Sequence, residues 1–229
     1  MIPPESPASP PASPPASPSL ARIAWPRLKR SLVAILRGLT PDEAPAVVAA
    51  LIEEEFEAIE IPLNSPDPFR SIAAAARLAP AGTLIGAGTV LTPDAVDRLA
   101  ESGGRLLVSP NIDPAVIARA HARGLVTLPG VMTPTEALQA VAAGASALKF
   151  FPAGLLGPAG ISAIRTILPP DTVVAAVGNV SEADFADYAR IGVRTFGLGS
   201  SLYKPGMSVD EIRDRARRTR CAYDAVFGP

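Results

Sequence analysis

Eight short apolar stretches recur along this chain at spacings of roughly 20 to 25 residues, and that rhythm restricts the possible folds more than any other feature. They are LVAILRG (32–38), AIEIPL (58–63), LIGAGTV (84–90), LLVSPNI (106–112), LVTLPGV (125–131), ALKFFPA (147–153), VVAAVGNV (173–180) and RTFGLGS (194–200). Between them lie helical patterns of about ten residues. Many open on a helix-start signal: Thr40-Pro41-Asp42-Glu43, Thr92-Pro93-Asp94, Asp113-Pro114, Thr133-Pro134-Thr135-Glu136 and Ser181-Glu182. A capping oxygen, a proline with no N–H to waste and an early acid suit a helix N-terminus. Eight strand–helix units in about 200 residues predict a (β/α)8 TIM barrel. A doubly wound open sheet is the alternative and would require the strand order to reverse.

Residues 1–19 are of another kind. Pro-Ala-Ser-Pro repeats from Pro7 to Pro18, leaving almost nothing apolar to bury, so 1–19 reads as a disordered Pro/Ala/Ser tail. Residues 20–229 then form a single domain. An amphipathic segment around Leu20 to Arg30, with Ile23, Trp25 and Leu28 as its apolar members, predicts a short N-terminal helix whose Trp25 packs under one barrel end.

Composition removes several classes of function. The 21 basic and 22 acidic residues nearly cancel, so no strong field would hold nucleic acid or an anionic membrane. The expected partner is a small-molecule substrate. No apolar run is long enough for a membrane span, and no signal peptide is recognisable at the N-terminus. One cysteine, Cys221, and one histidine, His121, leave no disulfide framework and no His-rich metal centre. No metal and no cofactor are expected, and a cytoplasmic location fits. His121 reads as a surface residue at a helix end and Cys221 as packing. The arginines between 213 and 220 read as a solvated helix face.

Buried parallel strands should be almost wholly apolar, so their polar residues are informative. These are Arg37, Glu60, Thr89 and Lys149. The C-terminal strand ends form the active face of a barrel, and Arg37, Thr89 and Lys149 fall at or near such ends. Alternation puts Ala147, Lys149 and Phe151 on one face and Ala58, Glu60 and Pro62 on one face. If both faces point inward, an amine and a carboxylate share one apolar hollow, with Phe151 a candidate substrate contact. Burial disfavours the ammonium form, and a neutral amine can attack a ketone to form an iminium, an electron sink for retro-aldol cleavage. Glu60 is then the candidate proton shuttle. The structural alternative is a buried Lys149–Glu60 ion pair. The loops after strands 7 and 8, Val177-Gly178-Asn179-Val180-Ser181 and Gly197-Leu198-Gly199-Ser200-Ser201, suit phosphate, because glycine lets backbone N–H groups approach an anion. Gly86-Ala87-Gly88-Thr89 suggests close approach of backbone to ligand, with the Thr89 hydroxyl facing it.

From about Ser31 to Phe227 the chain resembles the aldolases that cleave 2-keto-3-deoxy-6-phospho sugar acids. The resemblance rests on Glu60-Ile61-Pro62-Leu63-Asn64-Ser65-Pro66, Gly86-Ala87-Gly88-Thr89-Val90-Leu91, Ser109-Pro110-Asn111, Leu148-Lys149-Phe150-Phe151-Pro152, Ala176-Val177-Gly178 and Gly197-Leu198-Gly199-Ser200. It implies Lys149 as the Schiff-base residue, Glu60 as proton donor and acceptor and Thr89 as a pyruvate contact. It implies Gly178 and Ser200 as phosphate holders, to which Gly199 of the same turn is added here, Arg37 as the cation for a substrate anion and a homotrimer as the assembly. The Ile35-Leu36-Arg37-Gly38 and IPLNSP stretches look like the phosphogalactonate branch rather than the phosphogluconate branch, which carries arginine in place of Asn64. Where the family often has Gly-Gly, this chain has Gly178-Asn179, so Asn179 enters the phosphate site too. A phosphogluconate or hydroxyglutarate aldolase, and a phosphosugar-binding barrel without catalysis, remain the alternatives.

Overall fold

Four of the helices begin where the sequence places a capping oxygen. In a computed structural model describing residues 23–229, Thr92 accepts from the Ala95 amide, Asp113 from those of Ala115 and Val116, and Thr133 with Glu136 closes a reciprocal capping box. These open α3 (Pro93–Glu101), α4 (Pro114–Ala122) and α5 (Pro134–Ala142). The others are α1 (Ala44–Glu53), α2 (Pro68–Leu78), α6 (Ala153–Arg165), α7 (Phe185–Arg190) and α8 (Val209–Phe227). α6 is kinked at Gly157, ahead of Pro158.

The strands are β1 (Leu32–Ile35), β2 (Ala58–Pro62), β3 (Leu84–Gly88), β4 (Leu106–Val108), β5 (Val126–Leu128), β6 (Gly130–Val131), β7 (Leu148–Phe150), β8 (Val174–Val177) and β9 (Thr195–Leu198). All pair in parallel, in the order β5-β4-β3-β2-β1-β9-β8-β7-β6. The two ends of that order, β5 and β6, flank Pro129 and are pieces of one strand; proline has no N–H for the ladder. Eight strands therefore ring a barrel at the eight predicted places, and no reversal of strand order supports the open sheet.

Apolar residues on both strand faces build two cores. Val33, Ala58, Leu106, Val108, Val126, Leu128, Ala147, Ala175 and Val177 fill the barrel interior. The larger core lies between strands and helices. Ile23, Trp25 and Leu28 pack against the interior set where the chain enters β1, so Trp25 sits under the barrel end as expected. Among the described residues the short N-terminal helix is absent: residues 23–28 have no regular structure. Pro26 disfavours helical backbone at Trp25, and the apolar side chains serve as a plug instead. The Pro/Ala/Ser tail lies outside the described residues.

The last helix locks onto the first turn of the barrel. Arg30, 3% exposed, donates from Nε to Asp224 Oδ1 (2.5 Å) and from Nη2 to Oδ2 (2.7 Å), and also reaches Glu55. Arg217 and Arg220 both hold the buried Glu54 at 3.2 Å. The arginine run of α8 is thus partly a docking surface rather than a solvated face. Cys221 is exposed instead of packed, whereas both ring nitrogens of His121 are buried.

Candidate active site

Strand alternation turns Lys149 and Glu60 inward. Ala147 and Ala58, two residues earlier on their strands, belong to the interior core. Lys149 on β7 pairs in register with Gly130 and Ala175; Glu60 on β2 pairs with Ile35 and Gly86. β2 and β7 are the second and sixth of eight walls, so the two side chains reach toward the axis from opposite sides. Lys149 is 6% exposed and Glu60 3%.

Glycine makes room for the carboxylate. A Cβ on Gly88 would stand 2.1 Å from Glu60 Oε2 and 2.5 Å from its Cδ. The glycines of β3 therefore serve internal packing: Gly86 likewise admits the Leu106 backbone, whose carbonyl oxygen a Cβ would meet at 1.9 Å. The groups that come close at this stretch are those that Gly86 and Gly88 admit, the β4 backbone and the Glu60 carboxylate. Glu60 Oε2 is buried with no hydrogen-bond partner among the described residues.

Burial sets the charge state of both groups. Desolvation raises the Glu60 pKa to about 7, opposed by the positive charges of Lys149 and Arg37 and by the backbone of Gly88. Desolvation lowers Lys149 to about 8; Glu60 opposes the shift and Arg37 adds to it. No ion pair within 4.0 Å joins them among the described residues, which distinguishes this arrangement from a structural Lys–Glu bridge. At neutral pH the amine can lose its proton and the carboxyl can gain one, both at small cost.

Above this pair the barrel opens. A cavity of about 770 Å³ lies at the C-terminal strand ends. Six of the nine predicted site residues line it: Arg37, Phe151, Gly178, Asn179, Gly199 and Ser200. Lys149 lies one inward position below Phe151, whose ring centroid is 4.8 Å from Nζ. Arg37 donates from Nη1 to Asn64 Oδ1 at 2.6 Å. Thr89, half-buried beyond the end of β3 with φ 57°, is not among the lining residues.

The two glycine loops follow the neighbouring strands β8 and β9 and line the same cavity. Gly178 has φ 91°, and a Cβ there would press Phe151 Cδ2 at 3.0 Å; the glycine lets that ring pack. Asn179 has φ 54°, a left-handed conformation asparagine tolerates better than most residues. A Cβ on Gly199 would meet nothing within 4 Å, so its backbone borders open space. Lys204 and Tyr203 also line this cavity and were not singled out from the sequence. Lys204 follows the Gly199 turn, and only the closed barrel brings it to the Gly178 loop. Among the described residues no three His, Cys, Asp or Glu side chains cluster as metal ligands.

A guanidinium and two glycine turns line the opening, while the amine of Lys149 and the carboxyl of Glu60 are buried and do not belong to that lining; together these groups suit a keto acid carrying a phosphate. Residues 27–220 match the family model for KDPG and KHG aldolases. A Rhizobium meliloti protein named probable 2-dehydro-3-deoxy-6-phosphogalactonate aldolase is 68% identical over 207 residues, covering 90% of this chain and 98% of that protein. The 2-dehydro-3-deoxy-6-phosphogalactonate aldolase of Escherichia coli is 48% identical, covering 85% and 95%. A solved structure titled native KDPGal superposes with a TM-score of 0.86 at 46% identity, covering 89% of this chain and 98% of the other. With a family match spanning the barrel and relatives this similar along nearly their whole lengths, the chain belongs to the KDPG and KHG aldolase family.

Proposed function

We propose that this aldolase cleaves 2-dehydro-3-deoxy-6-phospho-D-galactonate to pyruvate and D-glyceraldehyde 3-phosphate through a Schiff base on Lys149. The observation that carries the reading is the buried amine facing a buried carboxyl beneath an open cavity. The neutral Lys149 amine attacks the C2 ketone, and loss of water leaves an iminium. The C4 hydroxyl gives up its proton, the C3–C4 bond breaks, and its electron pair moves onto the iminium to give an enamine. The aldehyde departs. Protonation at C3 and hydrolysis then release pyruvate and the free amine. Glu60 gives and takes the protons, which a carboxyl near neutrality does in both directions. Arg37 holds the substrate carboxylate, with Thr89 completing that end. Gly178, Asn179, Gly199 and Ser200 receive the phosphate, with Lys204 at the rim. Phe151 covers the amine and limits water.

The galactonate assignment is supported by the names of the two relatives above and by Asn64 beside Arg37. Borohydride reduction with pyruvate, followed by peptide mass mapping, should leave one pyruvate adduct, on Lys149; an unmodified Lys149 rules out the Schiff base and favours a binding barrel. Comparing kcat/KM on the galactonate and gluconate epimers decides the branch, and parity or a gluconate preference reassigns it. A role in galactonate breakdown in the cytoplasm and a homotrimeric assembly complete the proposal. A solved chain 47% identical to this one belongs to a cage designed by fusing symmetric oligomeric domains, which supports self-association. Analytical ultracentrifugation tests the trimer, and cell fractionation tests the location.

A further inference from the structure

We propose that Asn64 and Ser65, consecutive in the loop after β2, act as a positioning device that holds Arg37 over the amine–carboxyl pair without cancelling its charge. The inference rests on the Schiff-base reading above. Two hydrogen bonds clasp the β1 and β2 ends together: Gly38 N donates to Ser65 Oγ at 2.9 Å, and Arg37 Nη1 donates to Asn64 Oδ1 at 2.6 Å. Ser65 is buried, so the clasp is anchored at one end in the protein interior. Neither Asn64 nor Ser65 lines the cavity, whereas Arg37 does, so both act through Arg37.

The chemistry of the acceptor matters. A guanidinium offers five N–H donors in a rigid fork. One donor occupied by Asn64 fixes the plane and leaves others for a substrate carboxylate. An amide oxygen is neutral, and among the described residues no carboxylate lies within 4.0 Å of Arg37. The positive charge of Arg37, exposed two residues beyond the Ile35–Glu60 register pair, therefore remains to act on Glu60 of β2 and Lys149 of β7. Its field favours the unprotonated amine, the form that attacks a ketone, and the ionised carboxyl. A carboxylate at position 64 would hold Arg37 as firmly and remove that field. Holding and charge are thus separable by substitution.

The test compares Asn64→Ala, Asn64→Asp, Asn64→Gln and Ser65→Ala in the full chain, reading KM, kcat, Tm and the pH dependence of borohydride trapping with pyruvate. Asn64→Ala is expected to raise KM about tenfold with kcat and Tm little changed, as a loosened clamp should. Asn64→Asp is expected to move the amine limb of the trapping profile to higher pH by about half a unit or more, which Asn64→Ala does not do. Asn64→Gln, retaining the amide acceptor, should recover part of the lost KM, and Ser65→Ala should resemble a weaker Asn64→Ala. Wild-type KM in Asn64→Ala, or an unshifted limb in Asn64→Asp, overturns the assignment while wild-type trapping upholds the aldolase reading. Absence of trapping in the wild type overturns that reading itself.

Discussion

An amine lowered into an apolar barrel loses solvation before any substrate arrives, and in the proposed mechanism Lys149 is the residue where that cost becomes reactivity. Attack requires its unprotonated form. With the pKa pulled down to about 8, the rate of pyruvate trapping should fall as pH drops below about 8 and level off above it. Lys149→Arg, which keeps the charge and cannot form the iminium, should abolish trapping. Glu60→Gln should retain trapping at a reduced rate and lower kcat by roughly 10²–10⁴. Single-turnover quench experiments over a pH series check all three outcomes. His121 offers a pH effect on stability rather than on activity. Burial holds its imidazole below the ordinary value of 6.5, outweighing the nearby Gly144 backbone. A depressed histidine pKa means the unfolded chain takes up the proton first as pH falls. The contribution of neutral His121 is complete above about 6.5 and is lost below it. Replacing it by phenylalanine should flatten the loss of urea midpoint between about pH 7.5 and 5.5; an unchanged loss would assign the acid sensitivity elsewhere.

At the scale of the element, β3 shows how a strand without a functional side chain can shape a site. Its inward glycines admit two different neighbours: Gly86 the backbone of β4, and Gly88 the carboxylate of Glu60. The two substitutions to alanine should therefore fail differently. Gly88→Ala should displace Glu60 and lower kcat toward the Glu60→Gln value, with a Tm loss smaller than that of Gly86→Ala. Gly86→Ala meets a strand backbone that cannot step aside, and overpacking of that kind costs about 1–3 kcal/mol or more. Paired thermal melts and kcat measurements separate the two outcomes. Equal Tm losses with equal activity losses would mean that both glycines serve only packing. The fifth barrel strand makes a related point. Pro129 splits it into β5 and β6, yet its carbonyl still accepts from the Lys149 amide at 2.9 Å, so the strand that carries Lys149 stays bonded at that level.

At the scale of the molecule, the barrel depends on joining its beginning to its end. Arg30 precedes β1, Asp224 lies near the end of α8, and the two meet across 194 positions of sequence. The bidentate contact holds Asp224 below the usual carboxylate range, with the Arg30 hydrogen bond the main cause, and a separate Arg30 hydrogen bond, followed by one from Lys29, lowers Glu55. Lowered carboxylate pKa values give stability that is present above the ordinary range near 4 and lost as pH falls through the depressed values. Arg30→Ala should strand these acids. A fully buried pair would lose about 3–5 kcal/mol, and the partial exposure of Asp224 and Glu55 reduces the expectation to about 1–3 kcal/mol. Urea unfolding at pH 7 checks the magnitude, and a shrinking wild-type advantage toward pH 3 checks the sign.

Repetition of apolar runs between capped helices determined the barrel by itself, because backbone polarity and a buried face leave parallel strands little else to become. A lysine and a glutamate within otherwise apolar strands were legible for the same reason: charge in a buried strand is costly enough to need a use. Other features depended on which residues meet, and a one-dimensional pattern does not encode meetings. The sequence contains Gly88 but not the Glu60 carboxylate that fills its missing Cβ, and it contains Asn64 but not the guanidinium Asn64 holds. The arginines of α8 read as solvated because their spacing resembles a polar surface; tertiary closure set two of them on a buried Glu54, and it set Lys204 in one cavity with the Gly178 and Gly199 loops. The predicted N-terminal helix failed for the converse reason, since Ile23, Trp25 and Leu28 found a better burial in the open barrel end than helix formation offered.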